Sequence, residues 1–512
     1  MGSVSERAVV VGAGQLRRKP GLDFAEAAFE PQEPVTLVAE ALRRAAADAG
    51  RPSLIEEADA IGWVPAVSWG YEDAPASLAR ALGRAAPRTG WACAPGGDGG
   101  VQVLNDAANR IAEGEVKIAL VGGCEVLYSR RRARSEGVDL ERCWTPGGSQ
   151  LRFLGGEAMR FSNALERRHG VVNPISAYPF LENALRAAAG RSIDEHQAFL
   201  GRLYERFAEV ASRNPYSWFP GPRSAADIAT VTAKNRWVGF PYPKHMNAIM
   251  EVDQGAALVV MAASEADRLG IPPAQRATFL GGGRSVDGWS VSERAFLARS
   301  PAYAAAARET QRHAGLGPAD VDLFDFYSCF PCVVEFALDA LGLAPDDPRG
   351  LTQTGGLAQH GGPGNAYSLH GLANAALALR RRPNAVAWVS ALGMTATKHA
   401  VCALSNDPRR VAASDGRATA VELPRAEKNG PPLVDHPTGK ASVESYTVLY
   451  DRANEPTQSI FLLRLADGRR SLALGPTTPA AIERVTKREG VGISGTVTPG
   501  EGEKPNQFRF DA

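Results

Sequence analysis

An internal repeat is the feature of this sequence that most constrains its fold. Residues 107–123 run as a helix, a tight turn, a strand and two glycines, and residues 375–393 follow the same plan. Residues 9–14 likewise resemble residues 279–283, so the two copies are offset by roughly 270 residues. That offset is far too long for a solenoid repeat and predicts a duplicated domain. Because strands alternate with helices in each copy, we predict two βα halves with parallel sheets covered by helices.

A glycine-rich loop precedes the last helix of each half. The first loop covers residues 95–100 (Pro-Gly-Gly-Asp-Gly-Gly), and the second covers residues 355–364 (Gly-Gly-Leu-Ala-Gln-His-Gly-Gly-Pro-Gly). Glycine allows close approach of the backbone, and a loop that opens a helix presents free N–H groups to oxygen anions. Two halves of this kind would place the loops side by side, so we predict a shared site at their junction.

Composition and charge are those of a globular chain with more than one domain. The 512 residues are 44% hydrophobic and 22% charged, with a net charge of +1. This balance offers no strong field for nucleic acid or membranes, and no apolar run reaches the roughly 20 residues that span a bilayer. Six cysteines form no disulfide framework, and residues 1–7 lack the apolar core of a signal peptide. We therefore expect a cytoplasmic protein in a reducing compartment.

Breaks in the βα rhythm indicate the domain boundaries. We predict a first half at residues 1–125, an inserted covering region at 126–242 with a helix at 193–213, a second half at 243–408, a linker at 409–440 and a C-terminal domain at 441–512. Inside the first half, a strand at residues 8–11 is expected to end in a turn at residues 12–14. Arg17 takes the place of the third glycine of a dinucleotide fingerprint, which disfavours a Rossmann site.

The C-terminal residues predict a small β-barrel. Strands are expected at residues 441–450, 458–465, 470–474, 491–497 and 507–510, with a helix at 479–487. Three strands, a helix and two strands is the order of an OB-type Greek-key barrel. Such barrels bind nucleic acid, sugars or proteins, but basic and aromatic residues do not interleave here, which argues against single-stranded nucleic acid. We expect this barrel to dock onto the body of the protein or onto a protein partner.

Short motifs rich in glycine, asparagine and aromatic residues are spread across the first four fifths of the chain. They are 111–114 (Ile-Ala-Glu-Gly) leading to 122–125 (Gly-Gly-Cys-Glu), 245–248 (His-Met-Asn-Ala) with 253–257 (Asp-Gln-Gly-Ala-Ala), 326–330 (Phe-Tyr-Ser-Cys-Phe), 341–343 (Leu-Gly-Leu), and 355–357 (Gly-Gly-Leu) with 361–363 (Gly-Gly-Pro). In this order and spacing they resemble the thiolase superfamily, nearest the sterol-carrier-protein-linked thiolases. The resemblance implies a duplicated α/β fold of two βα halves in five layers (αβαβα). It also implies acyl transfer to and from coenzyme A, in acyl-CoA and lipid metabolism.

The resemblance identifies the positions at which thiolases carry their reactive side chains. The family's nucleophilic cysteine, whose thiolate a helix N-terminus stabilises, falls on Gly97. The histidine that activates it falls on Gly362, the asparagine or histidine of the third motif falls on Tyr327, and the late acid/base cysteine falls on Ala391. The chain therefore resembles a degenerate thiolase, which keeps the glycines and prolines of the loops and none of these reactive side chains.

The expected ligand is an acyl-CoA or a related thioester, and no cofactor is expected. By the same resemblance, the residues that would contact this ligand are Gly97, Asn247, Tyr327, Gly362 and Gly393. Cys329 and Cys332 have the spacing of a metal or redox pair, but no second pair accompanies them, so we predict no metal site.

The reactive groups could instead have moved along the chain. Cys93, Cys329 and His360 each lie two to four residues from a vacated family position. A cysteine and a histidine from this set would supply a nucleophile and a base. Two residues of extended chain span about 6–7 Å, however, which is too far for the family's geometry unless a loop is rebuilt.

Three interpretations follow from the sequence. The chain binds an acyl-CoA or related thioester without ordinary thiolase chemistry, or it is an active acyltransferase that uses Cys93 or Cys329 with His360. The third interpretation is a non-enzymatic scaffold that recruits a partner or nucleic acid through the C-terminal barrel. Members of the family dimerise near the nucleophile strand, and the proline and glycines at residues 95–100 alter that region, which disfavours a homodimer.

Overall fold

The first strand runs straight through the glycines that were expected to form a turn. In the computed structural model, which describes residues 6–147 and 161–511, β1 covers Ala8–Arg17 and is buried along nearly all of its length. A Cβ atom on Gly12 would lie 2.1 Å from the Ala45 carbonyl oxygen, and one on Gly14 would lie 2.0 Å from the Ala41 carbonyl oxygen. The glycines therefore let helix α1 (Pro34–Asp48) lie directly against the strand, and the turn predicted at residues 12–14 is wrong.

Both halves and the insertion contribute to the body of the protein. The remaining strands of the body are, in chain order, β2 (Ala60–Val64), β3 (Thr89–Ala92), β4 (Ile118–Val126), β5 (Trp237–Gly239), β6 (Tyr242–Pro243), β7 (Asp253–Ala262), β8 (Ala277–Val286), β9 (Leu323–Asp325), β10 (Val386–Gly393), β11 (Lys398–Ser405) and β12 (Ala418–Val421). The remaining helices of the body are α2 (Leu54–Glu57), α3 (Ala74–Leu82), α4 (Gly99–Ala112), α5 (Leu127–Ser135), α6 (Leu140–Cys143), α7 (Ala164–Arg168), α8 (Pro174–Ala188), α9 (Ile193–Arg213), α10 (Ala225–Ala229), α11 (Ala263–Arg268), α12 (Pro301–Ala314), α13 (Pro331–Leu341), α14 (Tyr367–Arg381), α15 (Pro408–Ala413) and α16 (Arg425–Lys428).

The two halves have strand orders that mirror each other. The first half contributes β3, β2, β4, β7 and β1 in that order, and the second contributes β8, β11, β10 and β9. They meet where β1 and β8 pair antiparallel over two residues of each strand. Strand β7 hydrogen-bonds to β4 and β1, although it lies within the range predicted for the second half (243–408). The chain thus returns to the first sheet after the insertion, which sequence order alone does not reveal.

Helices lie on the outer faces of the sheets and between the two halves. Helices α1 and α3 cover the outer face of the first sheet with a separate apolar cluster, and α12 packs on β8 and β11 of the second. Helices α4 and α14 pack against each other and against strands of both halves. A Cβ atom on Gly100 of α4 would lie only 2.5 Å from the Leu369 backbone nitrogen of α14, so these two helices touch backbone to backbone. The predicted duplicated α/β fold of two helix-covered halves is confirmed, but the prediction of parallel sheets is wrong, because β7 and β11 each pair antiparallel with both of their neighbours.

The insertion forms a helical cover over one end of the sheets. Helix α9 has the predicted bounds, 193–213, and begins at a capping box in which Ser192 and Glu195 bond reciprocally. Its buried face, which includes Tyr204 and Phe207, joins the core of the body. Residues 148–160 of the predicted insertion lie outside the described part of the chain.

The C-terminal region closes into a five-stranded barrel, as predicted. Its strands are β13 (Gly439–Tyr450), β14 (Pro456–Leu465), β15 (Arg470–Gly475), β16 (Ser494–Thr498) and β17 (Gln507–Phe510), with helix α17 (Pro479–Thr486) after β15. The order around the barrel is β13, β14, β15, β17, β16 and back to β13. Phe461, Leu463, Ala473 and Phe508 fill its interior. Strand β5 of the insertion adds to the outside of β13 through Leu449 and Gly239.

The segment predicted to be a linker, 409–440, is packed against the body. Its strand β12 pairs parallel with β8 of the second half. The Leu433 backbone forms a bridge with Arg470 at the start of β15. Its polar composition suits an exposed segment, but backbone pairing along β8 holds it in place. Within the described residues, no helix is both long and apolar enough to cross a membrane.

Candidate functional site

A cavity of about 380 Å³ opens where loops of both halves meet. It lies near the carboxyl ends of β2, β3, β9 and β10, the edge at which open α/β sheets bind ligands. Four of the predicted contact residues line it, namely Gly97, Asn247, Tyr327 and Gly362. The rest of the lining is mainly apolar and includes Pro65, Phe161, Ile175, Tyr178, Met250, Phe330, Leu357 and Met394. The two glycine loops therefore share one concave, largely apolar site.

The Tyr327 hydroxyl occupies the space that a side chain at position 97 would need. A Cβ atom on Gly97 would lie 2.1 Å from the Tyr327 hydroxyl oxygen and 2.5 Å from the Leu392 carbonyl oxygen. Burial raises the pKa of Tyr327 well above its ordinary value, and Cys329 and Asp98 act in the same direction. A protonated phenol therefore stands at the position where the resemblance places a thiol nucleophile.

A buried ion pair holds the first glycine loop. The Lys398 ammonium lies 3.0 Å from Asp98 Oδ1 and donates to the Pro95 carbonyl oxygen at 2.9 Å. Both side chains are less than one tenth exposed, and Gln102 donates to the other Asp98 oxygen. Asp98 is the residue before helix α4, so the lysine at the start of β11 ties the second half to the loop that carries Gly97.

The second glycine loop presents Gly362 to the cavity. Its N–H donates to the Ile249 carbonyl oxygen at 2.8 Å. The atom nearest to a Cβ placed on Gly362 would be a Leu357 methyl at 3.2 Å, so a side chain fits here with a small adjustment. The neighbouring Gly361 has φ +105°, and its Cβ would collide with Gln254 at 2.4 Å. Gly361 is therefore required by the path of the loop, whereas Gly362 leaves cavity space open.

Asn247 lies in the cavity wall, while Gly393 and Ala391 lie behind it. The Asn247 amide donates to the Pro243 carbonyl oxygen at 2.8 Å, which fixes its side chain at the wall. Gly393 ends β10 between two lining residues, but a Cβ there would lie 2.2 Å from Asp98 Oδ1. Ala391 is buried in β10 opposite Ala400 and is not among the lining residues.

Cys329 and Cys93, the two candidate nucleophiles, face different cavities. Cys329 lines the cavity between the glycine loops, and burial raises the pKa of its thiol to about 12. Cys93 faces a separate surface groove beside Trp91, and burial raises the pKa of its thiol as well. Both side chains are therefore protonated at neutral pH, and neither carries the thiolate that acyl transfer requires.

His360 lies on the core side of its loop. Its ring stands 5.0 Å from the His370 ring and 5.9 Å from the Tyr367 ring, measured between centroids, and Ser217 Oγ lies 3.3 Å from its Nδ1. It is fully buried and is not among the residues that line the cavity. Burial lowers its pKa well below the ordinary value, with His370 and Arg17 acting in the same direction.

Two residues that shape the site were not found from the sequence. Glu125 is fully buried, and its carboxylate accepts hydrogen bonds from the Val67, Ser68 and Val126 backbone N–H groups, which pins the loop that carries Pro65 to Val67. Lys398 was likewise missed, because its only signal is a charge within an otherwise apolar strand. Glu125 lies within one of the motifs quoted above, and the available signal was a single acidic residue inside the buried strand β4.

The pH dependence of unfolding tests whether His370 is buried as a neutral imidazole. Its Nδ1 lies 2.7 Å from Gln15 Oε1, and burial lowers its pKa to about 3. The unfolded chain therefore binds a proton near pH 6.5 that the folded chain does not, so stability falls as the pH drops below that value. We expect the wild type to lose about 2 kcal/mol of unfolding free energy relative to His370→Asn between pH 7 and pH 5.

Denaturant unfolding of both proteins across this range measures the difference. His436, which is exposed, supplies the control: the His436→Asn variant should follow the wild type at every pH. Parallel curves for the wild type and His370→Asn would show that His370 is protonated in the fold.

The fold and the site together define a thiolase-like protein with an added C-terminal barrel. Residues 423–502 match the family model described as the thiolase-like protein type 1 additional C-terminal domain. The crystal structure of a monomeric SCP2-thiolase like protein type 1 from Mycobacterium smegmatis is 30% identical, covers 100% of both chains and has a TM-score of 0.81. The chain belongs to this family of SCP2-thiolase-like proteins type 1.

Similarity to two further proteins is more distant. Sterol carrier protein 2 of Rattus norvegicus is 28% identical over 222 residues, which are 41% of this chain and 39% of the rat protein, so the match spans well under half of that relative. The dimeric peroxisomal thiolase of Saccharomyces cerevisiae has the same fold, with a TM-score of 0.54 at 15% identity, over 78% of this chain and 98% of the yeast chain.

Proposed function

We propose that this protein binds an acyl-CoA or a related thioester in the cavity between its glycine loops and does not form an acyl-enzyme there. The observation that carries the proposal is the Tyr327 hydroxyl over Gly97, which fills the nucleophile's place while the cavity beside it stays open. A thioester needs a thiolate or an activated hydroxyl for transfer. The neutral phenol of Tyr327 offers a hydrogen bond instead, and the apolar wall suits an acyl chain.

The second candidate function is acyl transfer by a relocated cysteine. Cys329 favours it, because its thiol lines the same cavity. The high pKa of that thiol and the position of His360 on the core side of its loop weigh against it. An active Cys329 would need a base brought within about 2.6–3.2 Å of its sulfur.

We infer that the C-terminal barrel is of OB type and that it serves to dock onto the body. Its strand order, with β15 and β17 parallel and a helix after the third strand, supports the OB assignment. OB barrels bind oligonucleotides on the face of their second and third strands. On that face Ile460, Leu462 and Leu472 join the apolar core of the body, which weighs against a nucleic-acid site there.

Binding and covalent capture together test the proposed function. We expect calorimetry to detect acetyl-CoA binding to the wild type, and intact-protein mass spectrometry to find no acetyl adduct after incubation. Gly362→Leu should abolish binding, because its side chain enters the cavity at a position with room for it. Gly221→Leu is the matched control, since Gly221 is exposed and a Cβ there would have no atom of the described chain within 4 Å.

Two results would overturn this proposal in different directions. An adduct that disappears in Cys329→Ala or Cys93→Ala establishes an acyltransferase. Absence of binding to acetyl-CoA and to a longer acyl-CoA, in a folded wild type, favours the scaffold interpretation. The family relative from Mycobacterium smegmatis is described as monomeric, so we also infer a monomer, which sedimentation of the same samples would check.

A further inference from the structure

A buried cluster of ionisable side chains lies behind the cavity wall, where the insertion meets the second half. Glu182 on α8, His196 on α9 and Glu335 on α13 bring one ligand-type atom each within 4.8 Å of one another. All three side chains are less than one tenth exposed. None of them belongs to the site between the glycine loops, and the proposed function does not use them.

Most polar atoms of this cluster have a defined partner. His196 Nε2 donates to Glu182 Oε1 at 2.9 Å, and the Tyr242 hydroxyl donates to Glu182 Oε2 at 2.7 Å. Arg191 lies 2.9 Å from Glu335 Oε2 and 3.1 Å from His196 Nδ1. The exception is Glu335 Oε1, a buried oxygen that no donor among the described residues reaches. A buried oxygen of this kind normally has a hydrogen-bond partner.

The charge balance of the cluster explains why Glu335 Oε1 lacks a hydrogen-bond partner. The two carboxyl groups have one guanidinium to balance them, that of Arg191, because the nearby Arg186 pairs with Glu489. The imidazole is neutral because burial lowers the pKa of His196 to about 4. With both carboxyls ionised, the cluster would hold one uncompensated buried negative charge, which is costly. A metal ion would also neutralise it, but the Arg191 guanidinium already stands between Glu335 and His196, where such an ion would bind.

We propose that Glu182 and Glu335 share one proton, and that this proton is a clamp between α8 and α13 that is lost as the pH rises. The Glu335 Oε1–H donates to the Glu182 carboxylate, which satisfies the orphaned oxygen and leaves a neutral pair with Arg191. Loss of the proton places two like charges side by side in the interior, and the repulsion acts directly between the two helices.

The surroundings of Glu335 favour the protonated form. Burial and the Glu182 carboxylate raise the pKa of Glu335 to about 8, whereas His196 and Arg191 act in the opposite direction. The titratable or charged groups that face the pair are Arg186 from α8, Arg191 from the loop before α9, His196 and Tyr204 from α9, Cys332 from α13 and Tyr242 from β6. Glu182 is raised as well, chiefly by burial, so the pair as a whole holds its proton into the neutral range.

The clamp is connected to the cavity through aromatic side chains. Tyr178 lies one helical turn before Glu182 on α8, and its ring stacks on Phe330, directly before α13, with 4.3 Å between centroids. Both rings line the cavity. Separation of α8 from α13 therefore loosens this stack, and the wall of the cavity opens with it.

The pH dependence of stability tests the clamp on the full chain. Between about pH 5 and pH 8 the folded protein holds a proton that the unfolded chain has released, so rising pH destabilises it. Glu335→Gln replaces the shared proton by an amide N–H that does not titrate. We expect the unfolding constant of the wild type, relative to this variant, to rise about tenfold per pH unit up to about pH 8 and to level off above it.

The matched control is Asp339→Asn on the exposed side of the same helix, which should keep the wild-type slope. Equal slopes for the wild type and Glu335→Gln would overturn the proposal. If Glu335→Gln does not fold, infrared spectra of the wild type decide: the C=O stretch of a protonated carboxyl group should be present at pH 7 and titrate away near pH 8, and Glu182→Gln should lack that component. A spectrum without it at pH 7 would refute the shared proton.

Discussion

Replacing Lys398 by methionine is expected to lower the free energy of unfolding by about 3–5 kcal/mol. The substitution keeps the apolar stem of the side chain and removes the ammonium group. Asp98 would then be a buried carboxylate without its cation, and the Pro95 carbonyl oxygen would lose a donor at 2.9 Å. A buried charge left unpaired costs far more than the pair itself contributes. Chemical denaturation followed by circular dichroism measures the loss.

A double substitution distinguishes the ion pair from simple loss of packing. Asp98→Asn combined with Lys398→Met removes both charges, so the double variant should recover much of the stability that Lys398→Met loses. Lys440→Met supplies the control, because Lys440 pairs with Asp511 on the exposed surface, where such pairs contribute about 0–1 kcal/mol. Equal losses in Lys398→Met and in the double variant would show that the charge of Asp98 is not the cause.

Gly97→Cys is expected to destabilise the fold by about 1–3 kcal/mol and to restore no acyl transfer. A cysteine at this position matches the resemblance to thiolases, but its Cβ would collide with the Tyr327 hydroxyl at 2.1 Å and with the Leu392 carbonyl oxygen at 2.5 Å. The side chain fits only if the tyrosine or the β10 backbone moves. Among the described residues that line the cavity there is no histidine to activate the thiol. The expected outcome is therefore a weakened protein that gains no acetyl adduct from acetyl-CoA.

The contact with Tyr327 makes a second test possible. Tyr327→Asn removes the hydroxyl from above Gly97, so the two substitutions should interact favourably in a double-mutant cycle. We expect the free energy of unfolding of the double variant, Gly97→Cys with Tyr327→Asn, to exceed by about 0.5–3 kcal/mol the value that adding the two single effects predicts. The Leu392 carbonyl oxygen stays in place, which limits the recovery. Strict additivity would contradict the conclusion that the phenol occupies this space, and an adduct on Gly97→Cys alone would contradict it more directly.

Much of the fold was predictable because its signals are local. The repeated helix-turn-strand plan indicated the two halves, and alternation with turn residues located every strand of the barrel within a few residues. Helix α9 was predicted with the correct bounds because its apolar period and its Ser192 cap lie in adjacent residues. The turn at residues 12–14 failed for a different reason. Gly12 and Gly14 allow the backbone of α1 to approach the strand closely. Residue propensity alone does not distinguish a glycine in a turn from a glycine at a close contact.

The candidate site was predictable only as a set of positions. Motif spacing indicated that Gly97, Asn247, Tyr327 and Gly362 belong near one another, and they line one cavity. The hypothesis of a relocated Cys–His pair rested only on how near Cys93 and His360 lie to the family positions along the chain. Their side chains point to a surface groove and to the core, which sequence separation does not encode.

By itself the sequence determined the duplicated α/β body and the C-terminal barrel, whereas the absence of the reactive side chains from their family positions stays a prediction from the resemblance. These depend on residue identity and on periodicity over short stretches, and both can be read in one dimension. Only the tertiary structure decided that the Tyr327 phenol fills the space beside Gly97, that Lys398 holds the first glycine loop and that the barrel turns its apolar strand face to the body. Each of these is a contact between side chains far apart in the chain, and such contacts depend on the path of the backbone between them.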